Sequence, residues 1–297
     1  MFSTKHTDGL EPTTGASRQA VNRRTPIQGD GSLPLTERAV PSRHGAVASK
    51  VEIPQYRPWA ILAVWAAAAL PMAALAWVAA PALADRLSGE DSVPTAKALL
   101  LCLTGGLIWQ FVLVVILVGR EQRTLRWSTL REALWLRSPR SPRSGRDGGR
   151  VWLVVIPLIV VFAAVGLIPE LPSPDSRDLN LFLGSESGQT FLSGNWSWFG
   201  LMVMLWLFNT VLGEELLFRG FLLPRMNGAF GRGDWAANGI LFAAYHLHVP
   251  WLIPVNLLDT FIVSYPTKRY RSAWIGIAVH SAQSLFFAIV VLLLVLS

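Results

Sequence analysis

Glu214-Glu215-Leu216-Leu217-Phe218-Arg219 is the stretch that decides the fold. Two carboxylates and a guanidinium stand inside an apolar run that starts near Trp196 and continues through Leu222 and Leu223 to Pro224. A charge at the centre of a lipid-facing helix costs at least ~2.5–3.5 kcal/mol on insertion scales. Adjacent carboxylates add their mutual repulsion. Such residues persist where they face a protein interior or a wet cavity. Glu215 and Arg219 are four residues apart and share a helix face, so they are expected to pair. Glu214 points about 100° away and is left for chemistry.

The rest of the composition agrees with a membrane setting. Of 297 residues, 52% are hydrophobic and 15% charged, and the mean hydropathy is +0.41. Several apolar runs approach the ~20 residues that cross a bilayer. The expected fold is all-α, a polytopic transmembrane helical bundle of about seven spans. The net charge of +7 does not point to nucleic acid, because the basic residues sort by topology. Cys102 is the single cysteine, which excludes a disulfide framework and a cysteine-based metal site.

Three regions follow in order. Residues 1–55 are polar, rich in Thr, Ser, Gly and Pro, and read as a disordered cytoplasmic tail. Residues 56–190 hold spans near Pro58–Leu83 (with a kink expected at Pro71), Ala96–Val118 and Val151–Ile168. Within that region the stretch 120–150 is a basic loop. Its first half, Thr124 to Leu136, reads as an amphipathic helix lying on the membrane through Leu125, Leu130, Leu134 and Trp135. Residues 191–297 form the expected catalytic transmembrane region: the Glu-pair helix, a turn at 224–234, a helix from Trp235 to about His248, a short broken segment Pro250–Tyr265 and a last helix Ala273–Leu296. Together with Arg57, which follows the tail, the tail, the 120–150 loop, the 219–232 turn and the 268–271 cluster hold 23 of the 26 Lys and Arg. By the positive-inside rule those regions are cytoplasmic, the N-terminus included.

Buried polar residues in the C-terminal helices coincide in depth. Glu214 precedes Arg225, His246 follows Trp235 and His280 follows Arg271 by nine to eleven residues. That places all three about 14–17 Å from the cytoplasmic boundary, near the middle of a ~30 Å hydrocarbon core. A lone histidine in a bundle is commonly a hydrogen-bonded packing residue. Three ionisable groups at one depth, beside a Glu pair, mark a site. A carboxylate with an imidazole suits activation of a water. A second imidazole with a hydroxyl four residues on, His280 with Ser284 and Gln283 nearby, suits donation to an oxyanion.

These residues resemble the CAAX protease and bacteriocin-processing family of intramembrane endopeptidases. The family pattern EExxxR is matched by Glu214-Glu215-Leu216-Leu217-Phe218-Arg219. FxxxH is matched by Phe242-Ala243-Ala244-Tyr245-His246. The third motif, HxxxN, keeps His280 but has Ser284 where the family has Asn. The resemblance covers roughly residues 196–290. It implies that Glu214 and His246 activate the attacking water and that His280, with Ser284, stabilises the oxyanion. Glu215 and Arg219 would then orient, and Phe242 would pack beside the site. It also implies a peptide or protein substrate in contact with membrane lipid, prenylated at its C-terminus or otherwise, and no nucleic-acid partner. The expected setting is the plasma membrane, with the active-site opening cytoplasmic.

Rival chemistries fit less well. No HExxH is present. Gly231-Arg232-Gly233-Asp234 has the GxGD spacing of aspartyl intramembrane proteases, but it sits in a charged turn, and Asp234 reads as a helix N-cap. Asp259 is its one candidate partner. No cofactor is expected; the alternative is a divalent metal such as zinc held by Glu214, His246 and His280. Outside enzymology, the same buried Glu, His and Arg suit a non-catalytic scaffold or a proton-coupled transporter.

Overall fold

The structure, a computed structural model, describes residues 51–89, 92–169, 171–174 and 177–297. Most of the expected N-terminal tail, and Glu90, Asp91, Glu170 and Asp175, lie outside the described residues. Among the described residues the secondary structure is helical, with two isolated β-bridges and no strand. Four helices are long and apolar enough to cross a membrane: α1 (Pro58–Leu87), α2 (Pro94–Gln122), α4 (Trp196–Arg225) and α6 (Ala273–Leu296). The shorter apolar helix α3 (Gly149–Val165) precedes α4, and α5 (Asp234–Tyr245) follows it. This is an integral membrane protein. Its apolar segments are unequal: α5 rises only ~18 Å, less than a bilayer core.

Each irregularity in these helices has a local cause. Pro58 and Pro94 open α1 and α2, where a missing N–H costs nothing. Pro71 lies inside α1 and cannot bond the carbonyl of Ala67. The indole of Trp109, on α2, donates to that carbonyl at 2.8 Å. Just beyond Pro71 the backbone widens into a π turn at Leu75–Ala79 and resumes. Two further indoles tie α1 to the other end of the chain. Trp65 donates to Leu241 and Trp77 to Leu247, both at 2.8 Å. The segment after α5 is broken by Pro250 and Pro254 into short pieces before the helix Tyr265–Tyr270. The crossing of α2 and α4 is close at Gly213, where a side chain would meet the carbonyl of Leu107.

The basic side is sealed. Leu217, Phe218, Phe221, Leu222, Leu223 and Met226 have no exposed surface and pack with Ile61, Val118, Ala133 and Tyr245 in the main core. Arg225, also fully buried, donates from Nε to both oxygens of Glu121 at 3.0 Å and from Nη1 to the carbonyls of Ala133 and Phe221. Its guanidinium lies 3.8 Å over the Phe221 ring. Two expectations are corrected here. The tail reading ran to residue 55, yet residues from Val51 onward pack on this plug: Tyr56 donates its backbone N–H to Arg225 at 2.8 Å and its hydroxyl to Glu121. Burial, and then Glu121, push the Tyr56 phenol above its ordinary pKa. The amphipathic surface helix is reduced to Trp127–Ala133. Leu134 and Trp135 turn into the core, while Leu125 and Trp127 stay exposed.

Removing one member of a buried ion pair leaves the other charge unanswered, at a cost of about 3–5 kcal/mol. Arg225→Leu and Glu121→Leu are therefore each expected to lower the melting temperature in detergent markedly. The double variant should recover part of the loss; two additive losses would remove the pair from the account.

Candidate active site

Helix α4 changes pitch on both sides of the Glu pair. Phe208–Gly213 and Leu216–Leu222 are π-helical. In a π turn the backbone bonds run between residues five apart, and the N–H of Glu214 bonds the carbonyl of Asn209. The Asn209 side chain is thereby brought over the Glu214 carboxylate. With its amide nitrogen turned toward it, Asn209 donates to Oε1 at 2.9 Å and to Oε2 at 3.3 Å. From the end of α5, the hydroxyl of Tyr245 hydrogen-bonds the Glu214 side chain and accepts from Gln110 of α2 at 2.5 Å. Glu214 is thus held by its own helix and by α5, with α2 behind Tyr245, and is buried.

Glu215 takes the other role. It has no exposed surface, and its Oε1 is 3.1 Å from Nη1 of Arg219 and 3.2 Å from Nδ1 of His280 on α6. The expected Glu215–Arg219 pair forms, and it has a third member. The Arg219 guanidinium lies 3.9 Å over the ring of Phe242. Its nitrogens make no aligned hydrogen bond among the described residues, so the ion pair and the ring contact are what hold it. Oε2 of Glu215 faces Gly276, one turn before His280, where any Cβ would collide with it. Phe242 also stacks edge-on to His246 and His280, at 4.9 and 6.2 Å between centroids. It therefore touches three of the polar groups.

The Nδ1 atoms of both imidazoles have defined partners. Nδ1 of His246 faces the carbonyl of Phe242 at 2.9 Å. A carbonyl only accepts, so Nδ1 carries the proton and Nε2 keeps a lone pair. Nδ1 of His280 donates to Glu215, which leaves its Nε2 for another partner. His246 ends α5 in a short 3₁₀ turn, stacked on His248.

Glu214, His246, His280, Ser284, Gln283 and Phe242 all line one cavity of about 630 Å³. Asn209, His248, Asn256 and Asp259 line it too. Asp234 does not. Its carboxylate accepts backbone N–H groups of Gly228 and Phe230, at 2.9 and 3.1 Å, and pairs with Lys268 at 3.3 Å. It braces the preceding turn and occupies the first position of α5 rather than capping it, which corrects the N-cap reading. Among the described residues no three His, Cys, Asp or Glu side chains are grouped to hold a metal ion, the set Glu214, His246 and His280 included.

The cavity lies away from the basic turns. No lining residue comes from the basic turns at 120–150, 219–232 or 268–271. On α4 the lining runs from Glu214 back to Met202, about 16 to 34 Å from the basic end. Exposed lining residues are Ala163, Gly166, Leu167, Ile168, Asn180, Gln283 and Phe286, none of them in the basic turns, so the mouth lies away from those turns.

Residues 195–286 match the family model described as type II CAAX prenyl endopeptidase, Rce1-like. The chain carries an Rce1-like region. It begins at the first turn of α4 and ends within α6, so it takes in every residue of the three motifs. Neither the curated proteins nor the solved structures give a match. Four residues of this arrangement escaped the sequence reading. Asn209, Tyr245 and Gln110 were visible only as polar residues in apolar runs. Gly276 was visible as a glycine inside a span, without a partner to explain it.

Two substitutions probe the Glu215 arrangement. Arg219→Leu is expected to reduce folding yield and stability by about 3–5 kcal/mol, read by melting in detergent. Gly276→Ala forces Glu215 off its position, an overpacking cost of about 1–3 kcal/mol. It should slow turnover beyond what its stability loss explains; an unaffected rate would show that Glu215 has room to move.

Proposed function

We propose that this protein is an intramembrane endopeptidase that hydrolyses a peptide bond of a membrane-associated polypeptide with a water activated by Glu214 and His246. What carries the reading is one cavity that brings both of those residues together with His280 and Ser284, within a region matching a CAAX endopeptidase family.

The steps follow from the groups present. The substrate carbonyl enters the cavity beside His280. A water between Glu214 and Nε2 of His246 loses a proton as it attacks the carbonyl carbon. Asn209 and Tyr245 hold Glu214 in one orientation, which lowers the cost of reaching the reactive geometry. Negative charge grows on the carbonyl oxygen, and His280, as an imidazolium with a proton on each nitrogen, donates to it from Nε2 while Nδ1 stays on Glu215, with Ser284 one turn on as second donor. Glu215 fixes the His280 ring through Nδ1, as a carboxylate orients an imidazole in other hydrolytic sites. The proton taken from water then passes to the leaving amine. The apolar walls of the cavity accept a hydrophobic or lipid-modified segment next to the scissile bond. A prenylated C-terminal peptide is one such substrate. No step is routed through a metal.

In membranes containing the full chain and a reporter peptide, Glu214→Gln is expected to lower kcat by about 10²–10⁴-fold with expression unchanged. His280→Ala should cost about 10²–10³-fold. Cleavage that persists in Glu214→Gln would turn the reading toward a scaffold or transporter. Cleavage is also expected to survive chelation of divalent cations. Loss on chelation with recovery on adding zinc would make Glu214, His246 and His280 ligands.

A further inference from the structure

The molecule is asymmetric along the helix axes, and the asymmetry bears on where its substrate comes from. On the basic side, the last three turns of α4 are filled by fully buried residues from Leu217 to Met226, braced by the Arg225–Glu121 pair and crossed by the Val51–Arg57 strap. Nothing there opens onto the cavity. On the other side the same helices part. The α4 residues Met202 and Trp206, the α2 residues Leu100 and Leu103, and α3 residues from Ile159 onward face empty volume. Its rim carries Leu167, Ile168 and Phe286 with the polar Asn180 and Gln283. Asn180 belongs to the short helix Leu179–Gly184, in the connection between α3 and α4, opposite the basic turns in chain order.

Charge gives this asymmetry a direction. Lys and Arg concentrate in the turns at the sealed end, and cationic loops are retained on the cytoplasmic side. The rim segment between α3 and α4 carries Asp178 and Glu186 against Arg177. We infer that the catalytic cavity is loaded from the non-cytoplasmic half of the membrane, and that its substrate is an apolar segment of an exported or membrane-anchored polypeptide presented there. The rim supports the substrate class. Leu167, Ile168 and Phe286 offer apolar contact where a chain would enter, while Asn180 and Gln283 offer hydrogen bonds to its backbone. The substrate part rests on the endopeptidase reading; the side of access does not.

The test separates the two. In a Cys102→Ser background, which removes the single native thiol, one cysteine is placed at a time: Ala282→Cys on the cavity wall, Asn180→Cys at the rim and Ser144→Cys in the exposed basic loop. A membrane-impermeant maleimide is applied to intact cells and to inverted vesicles. Ala282→Cys and Asn180→Cys should be labelled in intact cells, and Ser144→Cys only in inverted vesicles. Labelling of Ala282→Cys from the Ser144→Cys side alone, or from neither side, overturns the inference. A membrane-anchored passenger then carries the reporter segment on one side or the other. Cleavage dependent on Glu214 is expected only for the non-cytoplasmic reporter. Glu214-dependent cleavage of the cytoplasmic reporter alone overturns the side of loading while leaving the endopeptidase standing. Correct labelling with neither reporter cleaved overturns the substrate part and counts against proteolysis, not against the side of access.

Discussion

Glu215 is a carboxylate with no exposed surface in the middle of an apolar bundle, and three helices are arranged to answer it. Helix α4 returns Arg219 to it from one turn on, α6 supplies the Nδ1 proton of His280, and α5 places Phe242 under the guanidinium. Burying a charge costs several kcal/mol unless partners compensate. The compensation here fixes the relative rotation and height of α4 and α6, since Gly276 is the position at which their backbones allow the carboxylate in. With Glu215 committed in this way, its neighbour Glu214 is left to face the cavity.

The π-helical stretches on either side of the pair make that division workable. A regular α-helix would carry Asn209 past Glu214; the wider turn at Phe208–Gly213 brings it back onto the carboxylate. The second stretch has support from outside the helix. Asn238 of α5 donates to the Phe218 carbonyl at 2.9 Å and accepts from Ser264 at 3.1 Å. The first stretch has such support too: Ser281 of α6 donates to Thr210 at 3.1 Å. Irregular backbone at membrane depth is tolerated where protein groups satisfy it, and π-bulges recur at functional sites.

The remaining architecture divides into a plugged end and a hollow end. The plug collects large side chains with no exposed surface and the second buried ion pair, Arg225 with Glu121. The hollow end is lined in part by the short helix α3 and the broken segment after α5. A rigid floor under an open chamber suits a site whose polar groups must keep their geometry while a chain enters from above.

Much of the site was legible in the sequence because intramembrane charge is rare and expensive. Glu214, Glu215, Arg219, His246 and His280 stand out against apolar surroundings, and helical periodicity alone pairs Glu215 with Arg219. The spacing also placed the ionisable groups at one depth, and the apolar runs gave the all-helical fold. Tertiary structure decided what depends on contacts between distant positions. Arg225 looked like a cytoplasmic boundary charge until Glu121, 104 positions away, was found against it. Gln110 meets Tyr245 across 135 positions. The position of the opening was not legible, because charge sorting reports on the ends of the helices, whereas an opening depends on where side chains fail to fill the space between them. That is a property of volume in three dimensions, which no run of residues carries by itself.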